Sequence, residues 1–369
     1  MSHRISRISG YRVLVPLKEG TYTMSGGRSL DQFDTTIVCI ETDSGFAGWG
    51  EITPLGATYL PSYAEGARTG IREIAPALLG ADPTQLECIN ELMDTTLRGH
   101  PYAKSALDIA CWDILGKVAG LPVSTMMGGR FGDRIRLYRS ITHGSPEMMA
   151  NLVKEFRQQG FRHFQLKVGG DADGDIQRIK ATSAMVEPGD GLVADANGGW
   201  TMNQAARVFR ATGDLDVYIE QPCRTYEECL TIRRRFNNPF VLDESIDSVI
   251  ALQRGIADGA MDCINIKLSK LGGLTRSRVV RDICVQNSIS MTIEDTACTD
   301  ITAAAISHIA LSTPEKLRLS VTLANVKIEF RTANGAPQTV DGSAVVSDRP
   351  GLGIDPITEL LGRPIFQFG

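Results

Sequence analysis

The sequence is poor in the patterns that build soft-metal and redox centres. Its 8 Cys are scattered with no CxxC pair, and its 5 His form neither HxH nor HExxH. A zinc site is therefore not expected, and the thiols read as buried, free cysteines of a reducing cytoplasm. No stretch approaches the roughly 18 consecutive apolar residues of a membrane span. The opening MSHRISRISGYRVLV carries basic residues without a sustained apolar run, so no secretory leader is expected and the assignment is cytoplasmic. Basic charge is not in excess either: 38 Lys and Arg stand against 43 Asp and Glu. Nucleic acid and anionic membranes need a basic surface and are disfavoured as partners.

What is present is an ordered alternation of elements. A chain of 369 residues exceeds one typical core, which predicts a large domain with a smaller one. In residues 1–130, YRVLVPL and DTTIVCIETDSGFAGWGEI read as strands, with a turn at Asp43-Ser44-Gly45. A loop of small and polar residues, 18–29, separates them. In AKSALDIACWDILGKVAG, the residues Ala106, Ile109, Ala110, Trp112, Asp113 and Gly116 repeat near 3.6, and Gly120 is a predicted C-cap. Across 131–324 a strand–helix alternation begins at RIRLYRSIT, with its first strand over 135–142, and ends at LRLSVTL (317–323). Eight strands with seven helices between them predict an α/β fold with a parallel sheet closed into a TIM-type barrel. The Gly/Pro-rich tail, 325–369, is expected to return to the N-terminal domain.

In such a barrel the chemistry sits where each strand meets its following loop. Six consecutive strands change from apolar to ionisable there: Lys167, then Asp195 with Asn197, Glu220, Asp243 with Glu244, Lys267, and Glu294 with Asp295. Asp195, Glu220 and Asp243 are one repeat apart, on adjacent strands about 4.8 Å from each other. Three converging carboxylates repel unless a cation holds them, and hard oxygen donors without Cys or His point to Mg²⁺. Lys167 and Lys267 flank the acidic arc from opposite sides, as two bases facing opposite faces of a substrate. A lysine among cations has a lowered pKa and serves as a neutral base near pH 7.

The segments QLKVGG, VADANGGW, YIEQP, LDES and INIKLSKLGG, in this order and spacing, resemble the muconate-lactonizing-enzyme subgroup of the enolase superfamily. The resemblance covers nearly the whole chain. It implies an α+β capping domain, a modified (β/α)7β barrel and a C-terminal return to the cap. It also implies that Asp195, Glu220 and Asp243 hold Mg²⁺, and that Lys167 and Lys267 are an acid/base pair. The shared chemistry is removal of the proton α to a carboxylate through an enediolate. The subgroup usually shows KxK on the second strand. Here the first position is Gln165, so an ammonium that would depress the Lys167 pKa is missing. A homo-oligomer, dimer or octamer, is also implied.

Substrate choice rests on the loops at 18–29, 53–63 and 293–300. Gly20, Gly26 and Gly27 suit a mobile lid. Tyr59 and Tyr63 either contact substrate or pack between the domains. Asn197 either assists the metal or caps the following helix. Lys270 either pairs beneath the metal site or points outward. The cap and GHPYAKSALDIACWDILGK resemble members acting on proline derivatives, the cis-3-hydroxy-L-proline dehydratases and the hydroxyproline betaine 2-epimerases. A quaternary ammonium is held best by aromatic rings. The segments IEDTACTD and LSVTLAN contain none and offer Asp295, Thr296, Thr299 and Thr322. A secondary ammonium suits Asp295, which favours a free imino acid and dehydration of cis-3-hydroxy-L-proline. The alternatives are a 2-epimerase or racemase of such derivatives, and behind them a dipeptide epimerase or a cycloisomerase. A catalytically dead barrel acting as a binding protein is the non-enzyme alternative, against which stands the intact set of two lysines and three acids.

Overall fold

The computed structural model describes residues 3–369; Met1 and Ser2 lie outside them. Three long strands open the chain, β1 (Ile5–Pro16) and β2 (Gln32–Thr42), rich in β-branched residues, and the glycine-containing β3 (Ala47–Ile52). They pair antiparallel, and the predicted turn closes with the Gly45 N–H donating to the Thr42 carbonyl at 3.1 Å. The last strand, Phe366–Phe368, adds to the free edge of β1. Helices α1 (Ala64–Leu78), α2 (Leu86–Thr96) and α3 (Pro101–Ala119) cover this sheet. α3 ends at Gly120 with φ 68°, the left-handed cap that glycine adopts without strain.

α3 is buried on nearly every side, because the cap sheet lies on one flank and barrel helices on the other. Its small residues let β3 come close. A Cβ added at Gly50 would stand 1.8 Å from the Ala106 carbonyl oxygen, and one at Gly48 2.1 Å from that of Ala110.

The barrel strands are β4 (Tyr138–Ile141), β5 (His163–Lys167), β6 (Gly191–Asp195), β7 (Tyr218–Glu220), β8 (Phe240–Leu242), β9 (Cys263–Lys267), β10 (Ser290–Glu294) and β11 (Arg318–Val321). They pair in chain order, all parallel. Helices α4 (Pro146–Gln158), α5 (Ala172–Ser183), α6 (Met202–Ala211), α7 (Tyr226–Arg233), α8 (Val249–Asp258), α9 (Leu274–Gln286) and α10 (Asp300–Leu311) connect them. Five open on a side chain that accepts an N–H of the first turn: Ser145, Asp171, Thr201, Thr225 and Ser248. These caps satisfy donors that a helix start leaves free. None of the helices is long and apolar enough to cross a membrane, among the described residues.

Three details depart from the sequence reading. The first predicted strand is split: Arg134–Arg136 pairs with Ser343–Val345 in a separate three-stranded sheet, and only Tyr138–Ile141 joins the barrel. For the same reason the tail does not return wholly to the cap, since its middle packs on Arg134–Arg136. The barrel is also not fully laced, because among the described residues no ladder joins β4 to β11. Over that seam the chain from Pro16 to Lys18 bonds to Lys327–Glu329.

Gly50→Ala is expected to destabilise the fold by about 1–3 kcal/mol through overpacking against α3. Urea unfolding monitored by circular dichroism reads the loss.

Candidate active site

Side chains alternate along a strand, so Gln165 and Lys167 face one way and Phe164 and Leu166 the other. The same alternation turns Asn265 with Lys267, and Thr292 with Glu294, into the barrel. Their neighbours Ile264, Ile266 and Ile293 join the core under the helices. Register places Lys167 beside Asp195, and Asp195 beside Glu220. Asp243 follows immediately after β8. Lys167, Asp195, Glu220, Asp243 and Lys267 are all buried.

Lys167 Nζ donates to Asp195 Oδ2 at 2.5 Å. Lys267 Nζ donates to Asp243 and to the Tyr59 hydroxyl oxygen, and lies 3.3 Å from Glu294 Oε1. Lys270 settles beneath: its Nζ donates to Asp243 Oδ1 at 2.9 Å and to the carbonyls of Asp243 and Asn265. It therefore forms the ion pair, not the outward alternative. Glu220 accepts from Gln165 Nε2 at 2.9 Å and from Asn265 Nδ2 at 2.6 Å. Asn265 also donates to Glu294, which accepts from the Tyr138 hydroxyl.

These partners set the charge balance at the two lysines. Burial alone pulls the lysine pKa values down. For Lys167 the charges of Asp195, Tyr22 and Glu220 outweigh burial, and for Lys267 those of Asp243, Tyr59 and Glu294 do. Both are raised, because each ammonium lies against acids; the lowering expected of a lysine among cations concerns the metal-loaded site, not these side chains alone. Nor are the acids gathered around one point: among the described residues no three acidic, His or Cys side chains stand together as metal ligands. A buried carboxylate takes the nearest cation or amide, and here those are the lysines, Gln165 and Asn265.

The donor set nonetheless fits a divalent cation. Among the described residues, Asp195, Glu220, Asp243, Glu244, Glu294 and Asp295 face only three lysines that pair with them or their neighbours, Lys167, Lys267 and Lys270. Burial, then the charges of Asp195, Asp243 and Glu294, push the Glu220 carboxyl well above its ordinary range. Burial and Asp243 push Glu244 up to about 7. Its Oε2 is buried without a hydrogen-bond partner. Uncompensated negative charge among hard oxygen donors suits such an ion.

Residues 148–360 match the Enolase C-terminal domain-like family, and residues 14–128 the Mandelate racemase / muconate lactonizing enzyme N-terminal domain. The chain belongs to the enolase superfamily. It is 52% identical to the cis-3-hydroxy-L-proline dehydratase of Roseibium aggregatum, over 99% of this chain and 100% of that one. It is 30% identical to the N-succinyl-L-Arg/Lys racemase of Bacillus cereus, over 95% of each chain. An enolase-superfamily structure from Roseovarius nubinhibens complexed with magnesium superposes with a TM-score of 0.95, at 38% identity and 100% coverage of both chains.

In this superfamily member the two lysines line one cavity of about 70 Å³. Of the predicted substrate contacts, Tyr59, Asn197, Asp295 and Thr296 line it, as does Thr322. Asn197 adopts φ 46° and donates its Nδ2 to Glu244 Oε1 at 3.1 Å, so it braces an acid rather than capping a helix; Thr201 caps α6. Asp295 accepts from Ser269 and from the Thr296 N–H, yet burial pushes it up to about 6. Tyr63 is 51% exposed and Thr299 is buried against Thr332, and neither reaches the cavity.

The cavity wall also holds residues the strand ends did not reveal. Tyr22 and Met24 come from the 18–29 loop, which forms a short ladder (Tyr22–Thr23 with Ser29–Leu30) and reaches Asp195 through Ser25. Phe33 and Tyr138 contribute rings, and Lys327 a further ammonium. The cavity is thus not free of aromatics. The Tyr59 ring, however, already carries Lys267 at 4.9 Å, and the Tyr22 ring carries Lys327 at 3.8 Å. No local signal marks Lys327, which lies outside any strand end.

Lys270→Met would leave Asp243 with one cation fewer in a buried setting, a loss of about 3 kcal/mol. Urea melts of the variant are expected to show it.

Proposed function

We propose that this enzyme dehydrates cis-3-hydroxy-L-proline to Δ1-pyrroline-2-carboxylate by removing the proton α to the carboxylate. The observation that carries the reading is the pair of lysines on the second and sixth barrel strands, which line one small cavity, with Asp195, Glu220 and Asp243 at the ends of the three strands between. The 52% identity to the Roseibium aggregatum dehydratase supports it.

Asp195, Glu220 and Asp243 are the residues that would hold Mg²⁺, whose charge, when bound, stabilises the negative charge developing on a substrate carboxylate. Among the described residues Lys167 pairs with one acid, Asp195, whereas Lys267 touches Asp243, Glu294 and Tyr59. Lys267 is therefore the better held ammonium and the assigned acid, and Lys167 is the base. In cis-3-hydroxy-L-proline the hydroxyl and carboxylate share a ring face, so the α-proton lies opposite the hydroxyl. Lys167, which would lose its acid partner if Asp195 held the cation, acts as the free amine and takes the C2 proton, and the C2–H pair becomes the C2=C3 bond. The C3–O bond breaks as Lys267 protonates the leaving hydroxyl, releasing water. The enamine gains a proton at C3 and loses its N–H, giving the C2=N bond. Asp295, held up near 6 by burial and without a lysine of its own, is suited to the ring ammonium. The occupied Tyr22 and Tyr59 rings support a free imino acid over a betaine.

Proton NMR of the Mg²⁺-loaded enzyme in D₂O with cis-3-hydroxy-L-proline is expected to show loss of substrate and growth of pyrroline carboxylate. Deuterium exchange at C2 with inversion and no elimination would instead assign an epimerase. Lys167→Ala and Lys267→Ala are each expected to lower turnover by about 10²–10⁴-fold. Near wild-type turnover in either one removes the two-lysine mechanism.

A further inference from the structure

Lys327 is the lysine of this cavity that has no acid. Lys167 and Lys267 each have carboxylate partners, but among the described residues no carboxylate lies within ion-pair distance of Lys327. Its Nζ donates to Ser140 Oγ at 2.6 Å and stands 3.8 Å from the centre of the Tyr22 ring. An ammonium has three N–H donors, so one hydroxyl and one ring leave it under-satisfied. The nearby Glu19 is already taken by Arg139.

Its place in the fold is as specific as its partners. Lys327 ends the turn that follows β11, at the seam where β11 and β4 share no ladder. The Lys18 N–H donates to its carbonyl at 2.8 Å, and Leu17 bridges to Ile328. The bond to Ser140 on β4 crosses that seam. Leu17, Tyr22, Ser140 and Lys327 line both the inner cavity and a second, outer one of about 380 Å³. They form the partition between the two. Ser140 is in register with Gln165 on β5, so Lys327 brings an ammonium beside the position where the sequence lacks one. Burial, with Arg139 and Lys167, lowers its pKa, as expected of a cation that an incoming anion would stabilise.

We propose that Lys327 is a substrate-binding residue that anchors the carboxylate of the substrate at the partition, on the Lys167 side of the cavity. The proposal rests on the reading of a small cyclic amino acid as substrate. An anchor here selects anionic ligands and holds them where the two lysines converge. A carboxylate–ammonium pair at a partly desolvated site is among the stronger polar contacts.

The test compares wild type with Lys327→Met, which keeps the stem on the Tyr22 ring, and Lys327→Arg, which keeps the charge. Circular dichroism first establishes that each variant folds. Calorimetric titration of the Mg²⁺-loaded enzyme then uses L-proline, which cannot eliminate water, and L-prolinamide, which lacks the carboxylate. Expected for Lys327→Met is a loss of L-proline affinity of about tenfold or more, with no difference for L-prolinamide and substantial recovery in Lys327→Arg. With cis-3-hydroxy-L-proline the larger part of the loss should fall in KM rather than kcat. Wild-type L-proline affinity in a folded Lys327→Met overturns the anchor, as does a loss confined to kcat. If wild type binds L-proline through Lys327 but does not dehydrate the 3-hydroxy compound, the reaction falls and the anchor stands. If it dehydrates that compound and Lys327→Met matches it in kcat/KM, the anchor falls and the reaction stands. A wild type that neither binds L-proline nor turns over the 3-hydroxy compound overturns both.

Discussion

Negative charge buried at the mouth of the barrel is the constraint on which the rest of this structure depends. Acids on adjacent strands cannot be desolvated together without donors and cations to meet them. The lysines supply part of the balance, and the interior of the barrel supplies more. Tyr138, Gln165, Asn265, Thr292 and Ser320 make that interior polar; the first three donate to Glu220 or Glu294, and the last two bond each other. A packed barrel is ordinarily filled with branched apolar residues. Here the hydrophobic core lies outside the strands, where Phe164, Leu166, Ile264, Ile266 and Ile293 meet the helices. The charged site and the displaced core are two consequences of the same alternation.

The cap completes the site and is bound to it by the same kind of contact. Glu51 of β3 is buried and accepts from the N–H groups of Thr299 and Thr302 at the start of α10. A carboxylate at a helix N-terminus is favourable, and this one joins the domains. Ser25 donates to the Asp195 carbonyl, and Thr296 to that of Thr53. The cap thus contributes Tyr22, Met24, Phe33, Leu55 and Tyr59 to the cavity wall, and the barrel and the turn after it contribute the rest, the two lysines included.

The strand ends were legible because a barrel strand has a short, strict pattern. Lys167, Asp195, Glu220, Asp243 and Lys267 could be named from a run of apolar residues that stops at an ionisable one. Loop residues were less legible: Tyr63, left open between substrate and domain interface, and Thr299 do not line the cavity, and a loop has no period to tell inward from outward. The first barrel strand was read too long because Arg134–Arg136 has strand character but finds its partner in Ser343–Val345, some two hundred positions away.

By itself the sequence determined the repeating barrel, the face each functional residue occupies and the order of charges around the mouth. These follow from local alternation and from the spacing of strand ends. Tertiary structure alone decided which groups touch. Lys327 meets Ser140 across 187 positions, Lys267 meets Tyr59 across 208, and Ser25 meets Asp195 across 170. Such contacts arise from closing the barrel and laying the cap over it, and no pattern within either partner's own segment encodes them.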